Sequence, residues 1–306
     1  MTTTLGDILN TGISRLQEAG IADAKRDAET LLLYLTDGDS TFLFLNKNKP
    51  ADELLERTYY SAVSTRASGV PVQYIILSQE FMGLDFYVDS SVLIPRQDTE
   101  TLVELAIDEA KHICAEKYAG DSAESSSDDA FSILDMCCGS GAIAVSMAYN
   151  IPQAKVTACD LSDGALKVTR KNAELNGVID NITIMKTDMF SVYIEGTKIP
   201  MQERFDMILS NPPYIATEVI NTLQTEVKDH EPMMALDGGD DGLVFYRILA
   251  EEAPQRLKEN GVLIMEIGHD QGKSVPELLE KTGKFTDIQV IKDLPGLDRV
   301  VFARLA

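Results

Sequence analysis

The chain has 306 residues, 44% of them hydrophobic, and 49 acidic against 27 basic residues leave a formal net charge of −22. That length holds one large domain or two ordinary ones with a real core, and no apolar run reaches the length of a bilayer-spanning helix. So acidic a balance is a poor footprint for gripping DNA or RNA, where neutralised phosphates supply much of the affinity.

The chain starts "MTTTLGDILNTGISRL", which lacks the basic start and apolar stretch of a secretory signal. In "LGDILNTGISRLQEAGI", Leu5, Ile8, Leu9, Ile13 and Leu16 recur at helical spacing. "ADAKRDAETLLLYLTDG" repeats the pattern and stops at Asp37-Gly38, and "ADELLERTYYSAVSTRAS" adds another helix before Gly69 and Pro71. A small helical domain over the first seventy or so residues is expected. "YIILSQEFMGLDFYVDSSVLIPR" turns to β-like composition around Gly83 and reads as a hairpin linking two domains. "QDTETLVELAIDEAKHICAEKYA" returns to helix. Residues 119–130, "AGDSAESSSDDA", are polar, acidic and too poor in apolar groups to order themselves, so a solvated loop is expected.

From residue 131 strands and helices alternate: "FSILDM", "GAIAVSMAYN", "KVTACD", "DGALKVTRKNAELNG", "ITIMKTDMF" and "FDMILS". Next come a helix read over "LVFYRILAEEAPQRLKENG", a strand in "GVLIMEIG", a helix in "QGKSVPELLEKTG", and two closing strands. The alternation predicts an α/β, doubly wound, Rossmann-like parallel sheet finished by an antiparallel pair.

Two turns carry the chemistry. "ILDMCCGSGAIA" sets Cys137, Gly139, Ser140 and Gly141 between a strand and a helix, where glycine lets backbone approach a ligand at a helix N-terminus. Asp160 closes the next strand, at the place where an acid bonds ribose hydroxyls; its plainer alternative is a helix cap. Asp135, just ahead of the loop, could receive an ammonium group, an odd design beside a pyrophosphate, so S-adenosylmethionine suits the loop better than a dinucleotide. Asp188 could accept from an adenine amino group, with Met189 against the ring.

"SNPPYI" follows a strand with prolines that cannot continue its ladder. Asn211, Pro212, Pro213 and Tyr214 resemble the turn of methyltransferases acting on planar nitrogens. The lone pair of such a nitrogen is delocalised, so its NH₂ needs two acceptors in place, here the Asn211 side-chain oxygen and the Pro212 carbonyl. Tyr214 could stack on the planar group and hold it in line. A glutamine amide and an adenine amine both satisfy the turn.

The whole chain resembles the release factor glutamine N5-methyltransferase family (PrmC/HemK). Beyond "NPPY", "GVPVQYI", "EFMGLDFYV", "VLIPRQDTETLVE", "EPMMALDGGDDGL" and "LIMEIGHDQG" stand in that family's order. The resemblance implies a class I methyltransferase that uses S-adenosyl-L-methionine, releases S-adenosyl-L-homocysteine, and methylates the Gly-Gly-Gln glutamine of class 1 peptide-chain release factors. It also implies a helical substrate-recognition domain at 1–72, a β-hairpin linker at 73–95 and a catalytic domain at 96–306. Cofactor contacts are expected from Asp135, Cys137, Gly139, Ser140, Gly141, Asp160, Asp188, Met189 and Asn211. Substrate contacts are expected from Asn211, Pro212, Pro213, Tyr214, Arg96 and Glu100. Cys137 stands where the family usually has glycine, and a positive φ there would strain it. The alternative, an adenine-N6 nucleic-acid methyltransferase, would flip a base into the same turn; the charge of −22 argues against it. A cytoplasmic monomer is expected. The four cysteines, Cys114, Cys137, Cys138 and Cys159, have no zinc-ligand spacing, and no metal, nucleic acid or membrane partner is expected.

Overall fold

A computed structural model describes residues 3–117, 130–194 and 197–306, so the acidic stretch at 119–130 lies outside the described residues except for Ala130. The chain divides into two compact units: residues up to Ser78 with Gln224–His230, and Gln79–Leu223 with Glu231–Ala306.

The first unit is helical. Helix α1 (Leu5–Glu18) starts with a capping box, Thr4 accepting from Asp7 N while the Asp7 carboxylate accepts from Thr4 N. Helix α2 (Ala24–Thr36) stops at Asp37, which is left-handed at φ 48°. Helices α3 (Ser40–Asn46), α4 (Glu53–Ala67) and α5 (Val72–Ile76) follow. Leu5, Ile8 and Leu16 are buried with Leu31, Leu32, Tyr59 and Val63, and Leu9 and Ile13 pack on that cluster. Tyr59 lies where a Cβ at Gly12 would stand, so ring and glycine fit as a pair. Buried Arg66 donates to Asp27 Oδ2 at 2.6 Å and also pairs with Glu226. A buried arginine without counter-charge would be costly, which explains why Gln224–His230, distant in sequence, belongs to this unit.

The second unit opens with the hairpin β1 (Gln79–Phe81) and β2 (Leu84–Phe86). Met82 and Gly83 both take positive φ at its tip, which matches the twist of paired strands. Helix α6 (Glu100–Lys117) precedes β3 (Ser132–Met136), α7 (Ala142–Asn150), β4 (Lys155–Asp160), α8 (Asp163–Leu175) and β5 (Ile182–Asp188). Strands β6 (Ser191–Ile194) and β7 (Thr197–Pro200) form a further antiparallel pair, and β8 (Phe205–Ser210) leads into the proline turn. After short helices α9 (Thr217–Ile220) and α10 (Thr225–Lys228) come α11 (Val244–Arg256), β9 (Leu257–Glu266), α12 (Ser274–Thr282), β10 (Phe285–Lys292) and β11 (Asp298–Leu305).

The sheet has nine strands in the order β10-β11-β9-β8-β3-β4-β5-β6-β7, and β3, β4, β5, β8 and β9 run parallel. Its middle strands are buried on both faces. Ile133 and Met207 enter a core shared with α6 and α7, while their neighbours Leu134 and Ile208 enter another shared with α11 and α12. From β3 the chain winds outward through β4 and β5, then returns to β8 on the other side. That reversal opens a crevice at the carboxyl ends of β3 and β8, where ligands bind in open α/β sheets.

One expected helix is corrected. "LKENG" is not its end but the start of β9, with Leu257 opposite Phe205 and Val262 opposite Met207. Pairing with β8 outweighs helical propensity there, and Asn260, left-handed at φ 59°, accommodates the bulge.

Candidate active site

Both turns found in the sequence reach this crevice, where a cavity of about 370 Å³ is lined by residues from the ends of β3, β4, β5 and β8. On the β3 side, Gly139 takes φ 54° and faces open space where a Cβ would sit. Its N–H donates to Asp160 Oδ2 at 2.9 Å, and Asp160 Oδ1 accepts from Ser162 N at 2.8 Å. Ser162, not Asp160, caps α8, which leaves Asp160 facing the cavity. Burial pushes its carboxyl up, against the pull of the N–H groups of Ser162, Gly139 and Leu161. Gly141, at φ 80°, turns the chain into α7; a Cβ there would stand 2.8 Å from Thr169 Cγ2. Helix α8 holds the loop from behind, Thr169 Oγ1 donating to Gly139 O at 3.0 Å and Asn172 Nδ2 to Ser140 O at 2.8 Å.

At the β8 side, Ser210 Oγ donates to Met136 O at 2.7 Å and ties the ends of β8 and β3 together. Asn211 and Pro213 line the cavity. Asn211 Nδ2 donates to Thr99 Oγ1 at 3.2 Å, so the Asn211 oxygen is the end of that amide not engaged by Thr99. The glycine-rich segment "DGGDDGL", residues 237–243, buttresses this turn. Ile215 N donates to Leu236 O at 3.0 Å and Gly238 N to Ile215 O at 2.8 Å. Gly238 is needed for that approach, because a Cβ there would meet Tyr214 Cα at 2.8 Å.

Residues 7–76 match the model of the PrmC N-terminal domain, and residues 123–294 match that of the methyltransferase small domain. A release factor glutamine methyltransferase of Geobacter sulfurreducens is 38% identical over 303 residues, covering 99% of this chain and 97% of that one. The chain belongs to the release factor glutamine methyltransferases. Another, from Bacillus subtilis, is 35% identical, with 98% of this chain and 97% of that one covered. Among solved structures, the catalytic domain of hMettl16 has a TM-score of 0.54 over 80% of this chain and 81% of that one; at 14% identity it speaks to the fold alone.

In this release factor glutamine methyltransferase, the departure at Cys137 has a backbone consequence. Cys137 takes φ 65°, the left-handed region, and Met189 takes φ 48°. Both line the cavity, with Cys137 Sγ 3.9 Å from Met189 Sδ. Ser140 lines it as well, and so does Asp188, which stands half-exposed with its carboxylate 2.6 Å from Lys198 Nζ. Arg96 lines the cavity too, its Nη2 donating to both Glu231 oxygens at 2.6 and 2.7 Å.

Other expected residues stand elsewhere. Asp135 is fully buried behind the loop, accepting from Ala144 N at 3.0 Å, with Oδ1 lacking a hydrogen-bond partner. Burial pushes its carboxyl up to about 7. Glu100 turns to the hairpin and accepts from Met82 N at 2.8 Å, while its neighbour Thr99 lines the cavity. One residue is about 100° of helix, enough to exchange inside for outside. Pro212 is buried in the turn. Tyr214 does not line the cavity; its ring packs on the core shared with α11, and its hydroxyl donates to Glu266 Oε1 at 3.2 Å. Thr169 and Asn172 carried no signal as site residues, because each is an ordinary helix residue until the fold brings it here, whereas Thr99 and Gln271 stood in the sequence only as members of the family-like stretches "VLIPRQDTETLVE" and "LIMEIGHDQG".

Proposed function

We infer that this protein transfers a methyl group from S-adenosyl-L-methionine to the side-chain amide nitrogen of the Gly-Gly-Gln glutamine in class 1 peptide-chain release factors. The carrying observation is the Asn211 amide, held by Thr99 at a cavity that Asp160 and Gly139 also line. S-adenosyl-L-methionine supplies an electrophilic methyl group on a positively charged sulfur. Three features fit that group. Asp160 offers a carboxylate for a ribose diol. Gly139 leaves room for close backbone approach. Arg96 is the basic side chain among the lining residues, and it is paired with Glu231, so a pyrophosphate would find no unpaired cation.

The chain's own part is positioning and charge stabilisation. The Asn211 oxygen and the Pro212 carbonyl accept from the glutamine NH₂ and stabilise the positive charge that grows on nitrogen. Apolar walls including Val92, Ile143, Leu161 and Phe245 exclude water. Tyr214 acts through its bond to Glu266 rather than by stacking. Full-length similarity to release factor glutamine methyltransferases and the charge of −22 favour a protein glutamine over adenine. The acidic balance suits a basic face on that partner, and a reducing cytoplasm suits the four free cysteines.

The test is incubation with methyl-labelled S-adenosyl-L-methionine, a class 1 release factor, and its Gln→Ala loop variant. Label is expected on the first protein alone. Label on both, or on DNA offered in their place, would overturn the assignment.

A further inference from the structure

The Asn211 turn reads an NH₂ group and not what carries it, since a glutamine amide and an adenine amine meet its two acceptors alike. Discrimination between carriers therefore falls to other parts of the cavity wall. One such part is the short turn Met233–Ala235, preceded by Pro232. Pro232, Met234 and Ala235 line the cavity together with Asn211 and Pro213.

This stretch is pinned on both sides. Before it, the buried Glu231 carboxylate accepts from Arg96 Nη2 at 2.6 and 2.7 Å. After it, Leu236 is buried and its carbonyl accepts from Ile215 N at 3.0 Å, which joins it to the proline turn. Ala235 N donates to Pro232 O at 2.9 Å and closes the turn itself. On this anchored backbone Met234 is 56% exposed and its neighbour Met233 53% exposed, and of the two only Met234 lines the cavity. Apolar surface left this open beside a cavity is available to a ligand.

The chemistry of the wall says which ligand. A flipped nucleotide would bring phosphates, and the basic side chain among the described lining residues, Arg96, is already held by Glu231. A Gly-Gly segment brings neither charge nor side chain, only CH₂ and peptide groups that another side chain can approach closely. Dispersion and exclusion of water are the interactions left to recognise it. Methionine is unbranched and polarizable, so it follows such an irregular surface without the backbone having to move.

We propose that Met234 is a specificity-determining residue, which packs on the main chain of the two glycines ahead of the glutamine to be methylated. The proposal rests on the methyl-transfer reading above. It divides the cavity's tasks: Asn211 and Pro212 hold the reacting amide, and Met234 recognises the peptide that presents it. Contact with the carrier is the same before and during methyl transfer, so it acts on binding and not on the chemical step.

The experiment compares wild type, Met234→Ala, Met234→Leu and Met233→Ala with a class 1 release factor as substrate. It records kcat, KM and the affinity for S-adenosyl-L-homocysteine by calorimetry. Alanine removes the thioether and leucine keeps the apolar bulk, while Met233→Ala removes a comparably exposed side chain outside the cavity lining. The expected result is a rise of about tenfold in KM for Met234→Ala, with kcat and cofactor affinity within about twofold of wild type. In Met234→Leu, KM recovers to within about threefold of wild type, and in Met233→Ala it stays within about twofold. A wild-type KM in Met234→Ala, or a loss confined to kcat, overturns the proposal. So does a cofactor affinity that falls with the KM effect, a Met234→Leu as poor as Met234→Ala, or an equal rise in Met233→Ala. A wild-type protein without activity on the release factor would instead count against the methyl-transfer reading, so the two failures are distinguishable.

Discussion

Gln271 grips the backbone of Tyr214: its Nε2 donates to the Tyr214 carbonyl at 3.1 Å and to the Gly242 carbonyl at 3.2 Å, while its Oε1 accepts from Gly268 N at 2.9 Å. Gln271 is 7% exposed, so these three backbone groups depend on one side chain rather than on water. The proline turn and the glycine loop that buttresses it are thereby joined to the end of β9.

Replacing Gln271 with leucine keeps much of the volume and orphans two carbonyls and an N–H. Each buried group left unpaired costs about 1–3 kcal/mol, so Gln271→Leu is expected to lose at least about 2 kcal/mol of stability. The drop is read from the urea midpoint. Turnover falls with it, because Tyr214 follows the clamped turn. A midpoint equal to wild type would mean that the clamp contributes nothing.

Cys137 holds a left-handed backbone at φ 65° that a Cβ disfavours. Cys137→Gly removes the Cβ, whereas Cys137→Ala keeps it and loses the same sulfur contact with Met189. The glycine variant is expected to be the more stable of the two by about 1 kcal/mol, roughly 1.5 °C in melting temperature for a chain of this size. A glycine variant that melts below the alanine one would show that position 137 carries no strain.

Asp160 receives N–H groups from both Gly139 and Ser162 and still faces the cavity. Asp160→Ala removes the charged acceptor meant for the ribose and loosens the glycine loop. Affinity for S-adenosyl-L-homocysteine should fall on the order of a hundredfold, since hydrogen bonds to charged groups contribute about 1.5–3 kcal/mol. Calorimetry that finds unchanged affinity would move the ribose site elsewhere.

Burial pushes the Glu266 carboxyl up from 4.5 to about 7. Between those values the folded protein binds more protons than the unfolded chain, so this group makes stability fall as pH rises from about 4.5 to about 7 and then level off. Asp135, pushed from 3.8 to about 7, acts in the same direction. Glu266→Gln removes one of these titrations. The variant should therefore gain stability relative to wild type between pH 5 and pH 8, by an amount of a few kcal/mol at most. Urea titrations at both pH values check this, and a difference that does not change with pH would refute it.

Sequence alone was enough for whatever is local. The glycine loop and the proline turn are contiguous, each announced by residues whose backbone limits are intrinsic, and the strand–helix alternation places them at one end of a sheet. Helical periodicity in the first unit was legible for the same reason. What the sequence left open is how distant residues complete the site. Thr99 meets Asn211 across 112 positions, Gln271 meets Tyr214 across 57, and Glu266 meets Tyr214 across 52. The exchange of Glu100 for Thr99 at the cavity and the withdrawal of Asp135 and Tyr214 into the interior were equally beyond it. So was the strand in "LKENG", which pairing with β8 imposes. Such outcomes turn on side-chain direction and long-range packing, and a residue's type does not encode either until the sheet is assembled.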